Sequence, residues 1–290
     1  MRRFLPLLLL AACLAPQARL LAAAEPIITE DVVYGHKDGM ALTFDVLQPE
    51  QPNGAGVMFI QSGGWYSPWA PPKSLIPVSQ PLLDQGLTVF IVRHGSAPRY
   101  TIPEIVPDVR RAVRVIRQHA SRWDVDPNRL GALGGSAGGH LALMLATTGD
   151  DGDPSASDPA LKHSSRIAAA VAFFPPTDIR GWTTDPPEII KSIPTLKPPL
   201  TFDADLEDDF SPLLHVGPQT APVLLIHGDQ DELVPISHSL NIMPAFEQHG
   251  VDSRLLTIEG AAHGFNAEQN KVVIPAMVDW FVTRLAKPTE

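Results

Sequence analysis

The sequence predicts an α/β fold: eight strands in a mainly parallel sheet, opened by an antiparallel hairpin and covered by helices on both faces. Three observations carry this expectation. Short apolar runs recur along the chain, as strands buried on both faces require. Amphipathic stretches with apolar residues at i, i+3, i+4 and i+7 separate them. The alternation then continues to the C-terminus, which is the pattern of a sheet with helices on either side.

The elements follow in order. Ile28–Tyr34 and Ala41–Leu47 alternate with period two across Lys37-Asp38-Gly39, a hairpin. Val57–Ile60 and Val89–Val92 are the first buried strands. In the helix Asp108–Gln118, Val109, Ala112, Val113 and Ile116 form one face and Arg110, Arg111, Arg114 and Arg117 the other. Strands at Arg129–Leu133, Ile167–Phe174, Val223–Ile226 and Ser253–Ile258 continue the series, and Val272–Leu285 closes it as a helix. Thirty prolines gather in loops, chiefly 68–77 and 175–218. The stretch 179–215 breaks the rhythm and is acidic. A loop that long is functional or disordered, so it reads equally well as a surface insertion or a small cap.

Length and charge bound the rest. At 290 residues, a single large domain over 25–290 is expected. The net charge of −10 excludes partners that need clustered Lys and Arg, namely nucleic acid and anionic membrane. Met1-Arg2-Arg3 and the apolar run after it read as a secretory signal over residues 1–24, with cleavage after Ala22-Ala23-Ala24. The run is too short for stable membrane insertion, so export to a periplasm or medium is expected. Leu10-Ala11-Ala12-Cys13 offers the alternative of a lipid anchor through Cys13. As the single cysteine, Cys13 permits no internal disulfide.

Gly134-Gly135-Ser136-Ala137-Gly138 is the most informative segment. This G-x-S-x-G sits between an apolar strand and the helix-forming His140–Ala146, the context in which a sharp turn lifts a serine hydroxyl above a sheet. Small flanking residues let the backbone close. Ser136 is therefore the candidate nucleophile, and it needs a base. His263, in Gly260-Ala261-Ala262-His263-Gly264-Phe265 after the last strand, opens on the edge where open sheets bind ligands. His36, His140, His238 and His249 read as structural or solvated. Asp231, in His227-Gly228-Asp229-Gln230-Asp231, follows the preceding strand and is the candidate orienting acid, with Asp229 the runner-up. The Ala137 amide and those of Gly63 and Gly64, after the strand Val57–Ile60, are the candidate oxyanion donors. Trp65, Tyr66 and His94 are candidate substrate contacts. Asp178 reads as a structural cap, and Asp150-Asp151-Gly152-Asp153 as a solvated loop without calcium-loop spacing.

From Val57 onward these segments, with Gly138-Gly139-His140-Leu141, Pro175-Pro176-Thr177-Asp178 and Ser211-Pro212-Leu213, resemble an α/β-hydrolase of the esterase/lipase group. The branch most similar is the acetyl-xylan and feruloyl esterase-like carbohydrate-ester esterases. That resemblance implies the α/β-hydrolase fold and a Ser136–His263–Asp231 serine esterase acting on short acyl or carbohydrate esters. It implies no metal or organic cofactor. Such relatives commonly carry His-Gly-Gly-Gly-Trp where this chain has Gln61-Ser62-Gly63-Gly64-Trp65. Gln61 is then expected to take over the missing histidine's hydrogen bonds. Two alternatives stand beside this reading: a prolyl-oligopeptidase-like peptidase, which shares the motif order, and a non-catalytic hydrolase-like binding protein.

Overall fold

The computed structural model describes residues 25–287. The expected signal segment and Cys13 lie outside the described residues. Eight strands form one sheet: β1 (Ile27–Lys37), β2 (Met40–Gln48), β3 (Gly56–Ile60), β4 (Thr88–Val92), β5 (Leu130–Gly135), β6 (Ala169–Phe173), β7 (Val223–Gly228) and β8 (Ser253–Ile258). Their spatial order is β1-β2-β4-β3-β5-β6-β7-β8. β1 and β2 pair antiparallel, β2 joins β4 antiparallel, and every later pairing is parallel. This is the expected α/β-hydrolase arrangement, entered through its hairpin.

Period-two alternation in the buried strands sorts side chains between two cores. Met58, Ile60, Phe90 and Val92 pack with α2 (Ile102–Gln118), α3 (Ala137–Thr148) and α5 (Ser237–Gln248), the short α4 (Glu188–Lys191) falling between the last two in the chain. Val57, Phe59, Val89 and Ile91 pack on the other face with α1 (Ile76–Leu83) and α6 (Ala267–Arg284). Each face must be apolar because each is covered, which is why these strands read as continuous runs. Every residue of α3 from Ala137 to Ala146 is buried. A helix apolar all round has to be enclosed, and α3 lies behind the Ser136 turn at the centre.

Helix starts differ from expectation, the last helix beginning at Ala267 rather than Val272 behind an Asn266/Gln269 capping box. α2 begins six residues earlier than its periodic stretch, at Ile102 behind a Thr101/Glu104 capping box, with Pro103 in its first turn. α1 was hidden among prolines, since Pro77 sits in its first turn and Pro81 lies within it. Proline tolerates a first turn, where its missing N–H has no partner to lose. The acidic loop after α3 is not simply solvated. Arg114 Nη2 donates to both carboxylate oxygens of Asp150 at 2.7 and 2.5 Å, and Arg111 and Arg166 pair with Asp158 and Asp151. The arginine face of α2 is thus covered by this loop rather than by water. Among the described residues no helix is long and apolar enough to cross a membrane.

Candidate active site

Ser136 stands where β5 ends and α3 begins, with φ 53° and ψ −120°. That left-handed conformation is unusual for a residue with a β-carbon and is held by the packing around it. A β-carbon on Gly138 would lie 2.7 Å from the Ile60 carbonyl, and one on Gly134 would strike the Gly138 backbone. Both glycines are needed for close approach. The turn also leaves the Ala137 amide at the first position of α3, where a helix has no internal acceptor for it.

Three distant loops meet here. Ser136 Oγ–H donates to His263 Nε2 at 2.9 Å, and His263 Nδ1–H donates to Asp231 Oδ2 at 2.7 Å. Asp231 Oδ1 accepts the Leu233 and Val234 amides at 3.0 and 2.9 Å. The Asp231 side chain is fully buried, while that of His263 is 20% exposed. Burial pushes the Asp231 carboxyl up. The hydrogen bonds from His227, His263 and the Val234 amide outweigh it and hold the group well below the usual carboxylate range. So held as an anion, Asp231 can fix the imidazole's tautomer and face a cation on it. Asp229 instead accepts the Gly260 amide at 2.8 Å and ties the two loops together.

His227 escaped the sequence reading. Its Nε2 stands 3.3 Å from Asp231 Oδ2 and 2.8 Å from the Val234 carbonyl, and its Nδ1 lies 2.7 Å from Ser239 Oγ. Its position as the last side chain of β7, beside the acid loop, was the available signal.

The oxyanion turn requires a correction. Gly64 and Trp65 have φ of 56° and 57°, the paired positive values of a type I′ turn. The Gly63 N–H donates to the Tyr66 carbonyl at 2.9 Å and the reverse bond is 3.0 Å. Gly63 therefore spends its amide within the turn, leaving the amides of Gly64 and Trp65 free, with Gly64 the expected candidate donor that remains. A β-carbon on Gly64 would strike the Leu196 side chain. Gln61 does not replace the missing histidine either, because its buried Oε1 has no hydrogen-bond partner. The turn is anchored instead by the Trp65 indole, which donates to His140 Nδ1 at 3.3 Å, while His140 Nε2–H donates to the Phe210 carbonyl at 2.8 Å. Burial pushes His140 down to about 4, so this bridge between turn and the 179–215 segment is neutral.

Ser136 and His263 open on a cavity of about 510 Å³ lined also by Gly63, Gly64, Trp65, Trp182 and Leu196. Trp182, Ile190 and Leu196 belong to the segment 179–215, so part of that stretch walls the site. Trp65 lines the cavity and is buried. Tyr66 is 55% exposed and borders an adjoining hollow that shares Gly63, Gly64 and Leu196. His94 does not reach the site. It is buried, its Nδ1–H donates to the Gly95 carbonyl at 2.8 Å, and burial pushes it down to about 4. The chain turns away after β4, so a residue at the right sheet edge points into the core. Asp178 pairs with Arg180 as a surface cap. Among the described residues no group of three or more His, Cys, Asp or Glu side chains is arranged to hold a metal ion.

The profile of the BD-FAE family matches residues 44–246. The chain belongs to the BD-FAE family. Similar curated proteins include the "Probable carboxylic ester hydrolase LipM" of Mycobacterium tuberculosis, 28% identical over 197 residues, which are 67% of this chain and 45% of that one. Esterase LipQ of the same organism is 23% identical over 76% of this chain and 53% of its own length. The acetylxylan esterase of Xylanibacter ruminicola is 36% identical over 103 residues, 34% of this chain and 20% of that protein. This BD-FAE chain spans about half the length of the mycobacterial relatives. A truncated carbohydrate esterase from gut microbiota shares its fold, with a TM-score of 0.74, 23% identity, and coverage of 91% of this chain and 98% of that one. Thermogutta terrifontis esterase 2 phosphonylated by sarin gives 0.73 at 25% identity, over 88% and 94%.

Proposed function

We propose that this BD-FAE chain is an exported serine hydrolase that cleaves carboxylic esters through an acyl-enzyme, acting on short acyl esters of carbohydrates or similar alcohols. The observation that carries the reading is the unbroken hydrogen-bond chain Ser136–His263–Asp231 at the wall of an open cavity. Ser136 Oγ attacks the ester carbonyl carbon as its proton passes to His263 Nε2. Asp231 stabilises the resulting imidazolium through Nδ1–H. The amides of Ala137 and Gly64 receive the oxyanion of the tetrahedral intermediate. Its collapse breaks the bond to the alcohol, which leaves with the proton from His263. Water, deprotonated by the same imidazole, then attacks the acyl-Ser136 and releases the acid.

The carbohydrate alcohol is supported by the names of the relatives and by the exposed aromatic Tyr66 on the hollow adjoining the site. The testing experiment is a p-nitrophenyl ester series from acetate to palmitate beside acetylated xylan and methyl ferulate. Short-chain preference with xylan deacetylation is expected. A prolyl anilide cleaved in preference to every ester would replace this reading with the peptidase one. Export rests on residues 1–24 alone. Mass spectrometry of protein secreted by a bacterial host is expected to find Glu25 as the first residue.

A further inference from the structure

A second cavity, of about 320 Å³, plays no part in the reaction described above. It lies between α1 and α6, and apart from Ser79 and Asn270 its lining is apolar. Three residues line both cavities: Phe59, Gly135 and Phe174. They form a common wall one residue from Ser136. Gly135 contributes only backbone there, and a β-carbon built on it would stand 3.2 and 3.3 Å from the Phe174 ring. The Phe174 ring thus stands against Gly135 in the wall between the two cavities.

Phe174 is held in place against its own preference. Its φ is +38°, a strained value for a bulky side chain. Its amide, donating to the Ile226 carbonyl at 2.8 Å, fixes that conformation. The ring lies with its centroid 4.6 Å from that of His263 and 5.4 Å from that of Phe265. An acyl chain on Ser136 that turns toward Gly135, away from the open cavity, meets this ring.

We propose that Phe174 is the residue that limits acyl length, and that the α1–α6 cavity behind it is a latent site for the alkyl chain of a longer acyl group. The proposal rests on the ester-hydrolase reading. With the ring gone, each methylene that enters the apolar cavity raises kcat/KM by about threefold to fourfold.

The test compares p-nitrophenyl acetate, butyrate and octanoate with wild type, Phe174→Gly and Phe174→Ala. Glycine suits the positive φ, and alanine carries the test should the glycine variant fail to fold. Because Phe174 touches His263, every substrate can slow together, but a uniform loss cancels in the octanoate-to-acetate ratio. That ratio is expected to favour acetate in wild type and to rise at least tenfold in the variants. Adding Ile274→Trp, at the cavity's 37% exposed rim, is expected to return it to within about threefold of wild type. Wild type that prefers octanoate overturns the proposal. So does an unchanged ratio in a variant whose Ser136 still reacts with a fluorophosphonate, or an octanoate gain that survives Ile274→Trp. A wild type inert to both ester and fluorophosphonate overturns the ester-hydrolase reading, and this proposal with it.

Discussion

Asp231 has no free oxygen. His263 and the Leu233 and Val234 amides donate to it, and His227 stands beside it at 3.3 Å. An amide in its place turns one acceptor into a donor facing His263 and favours the wrong tautomer. Asp231→Asn is expected to lower kcat by about 10³- to 10⁴-fold with KM little altered, in steady-state assays on p-nitrophenyl acetate. At the oxyanion turn, Gly64→Ala adds a β-carbon to a position with φ of 56° and drives it into Leu196. A loss of about 10²- to 10³-fold in kcat is expected, whereas Gly63→Ala, with open space around its β-carbon, leaves kcat within about tenfold. Equal losses from the two would contradict the open space found around Gly63 and the special demand for glycine at position 64. The three relay residues and the turn were legible because each follows an apolar strand at one sheet edge. The choice between Gly63 and Gly64 was not, since it depends on a carbonyl three residues on. Phe174 read as the end of a strand, because φ leaves no mark in a sequence.

Among the elements, strands were easiest to read and proline-bearing helices hardest. Burial on both faces writes a strand as an unbroken apolar run, while Pro77 and Pro81 obscure α1 and Pro103 the start of α2. The segment 179–215 has no period to read. It holds a four-residue helix and a string of 3-10 turns, fixed less by pattern than by point contacts. Glu207 is the chief of these, accepting the Gly181 amide at 2.5 Å and the Thr183 amide and hydroxyl at 2.7 and 2.6 Å. Glu207→Ala leaves those donors unmatched at a cost on the order of 2 kcal/mol. The segment is expected to loosen: limited proteolysis should cut it first, and KM for p-nitrophenyl acetate should rise more than kcat falls. Cleavage elsewhere with unchanged KM would detach the segment from the site.

Over the whole molecule, the buried His94 and His140 and the half-buried His238 shape the response to acid. His94, His140 and His238 are each pushed down from 6.5 to about 4, in every case chiefly by burial. Their folded pKa lies below the unfolded one, so above pH 6.5 they cost nothing. As pH falls from 6.5 towards 4 the unfolded chain takes up protons that the folded chain refuses. Stability then drops by up to about 1.4 kcal/mol per pH unit for each. Urea unfolding at pH 7, 6 and 5 is expected to show a falling midpoint, and a flat profile would contradict the neutral state of these rings. The fold, the relay and the cavity nonetheless serve one claim, that the Ser136 hydroxyl is activated by His263. Fluorophosphonate labelling followed by peptide mass spectrometry tests it most directly. A single adduct on the Ser136 peptide, absent from Ser136→Ala and strongly slowed in His263→Ala, is the expected result; no adduct on wild type, or one that persists in Ser136→Ala, contradicts it.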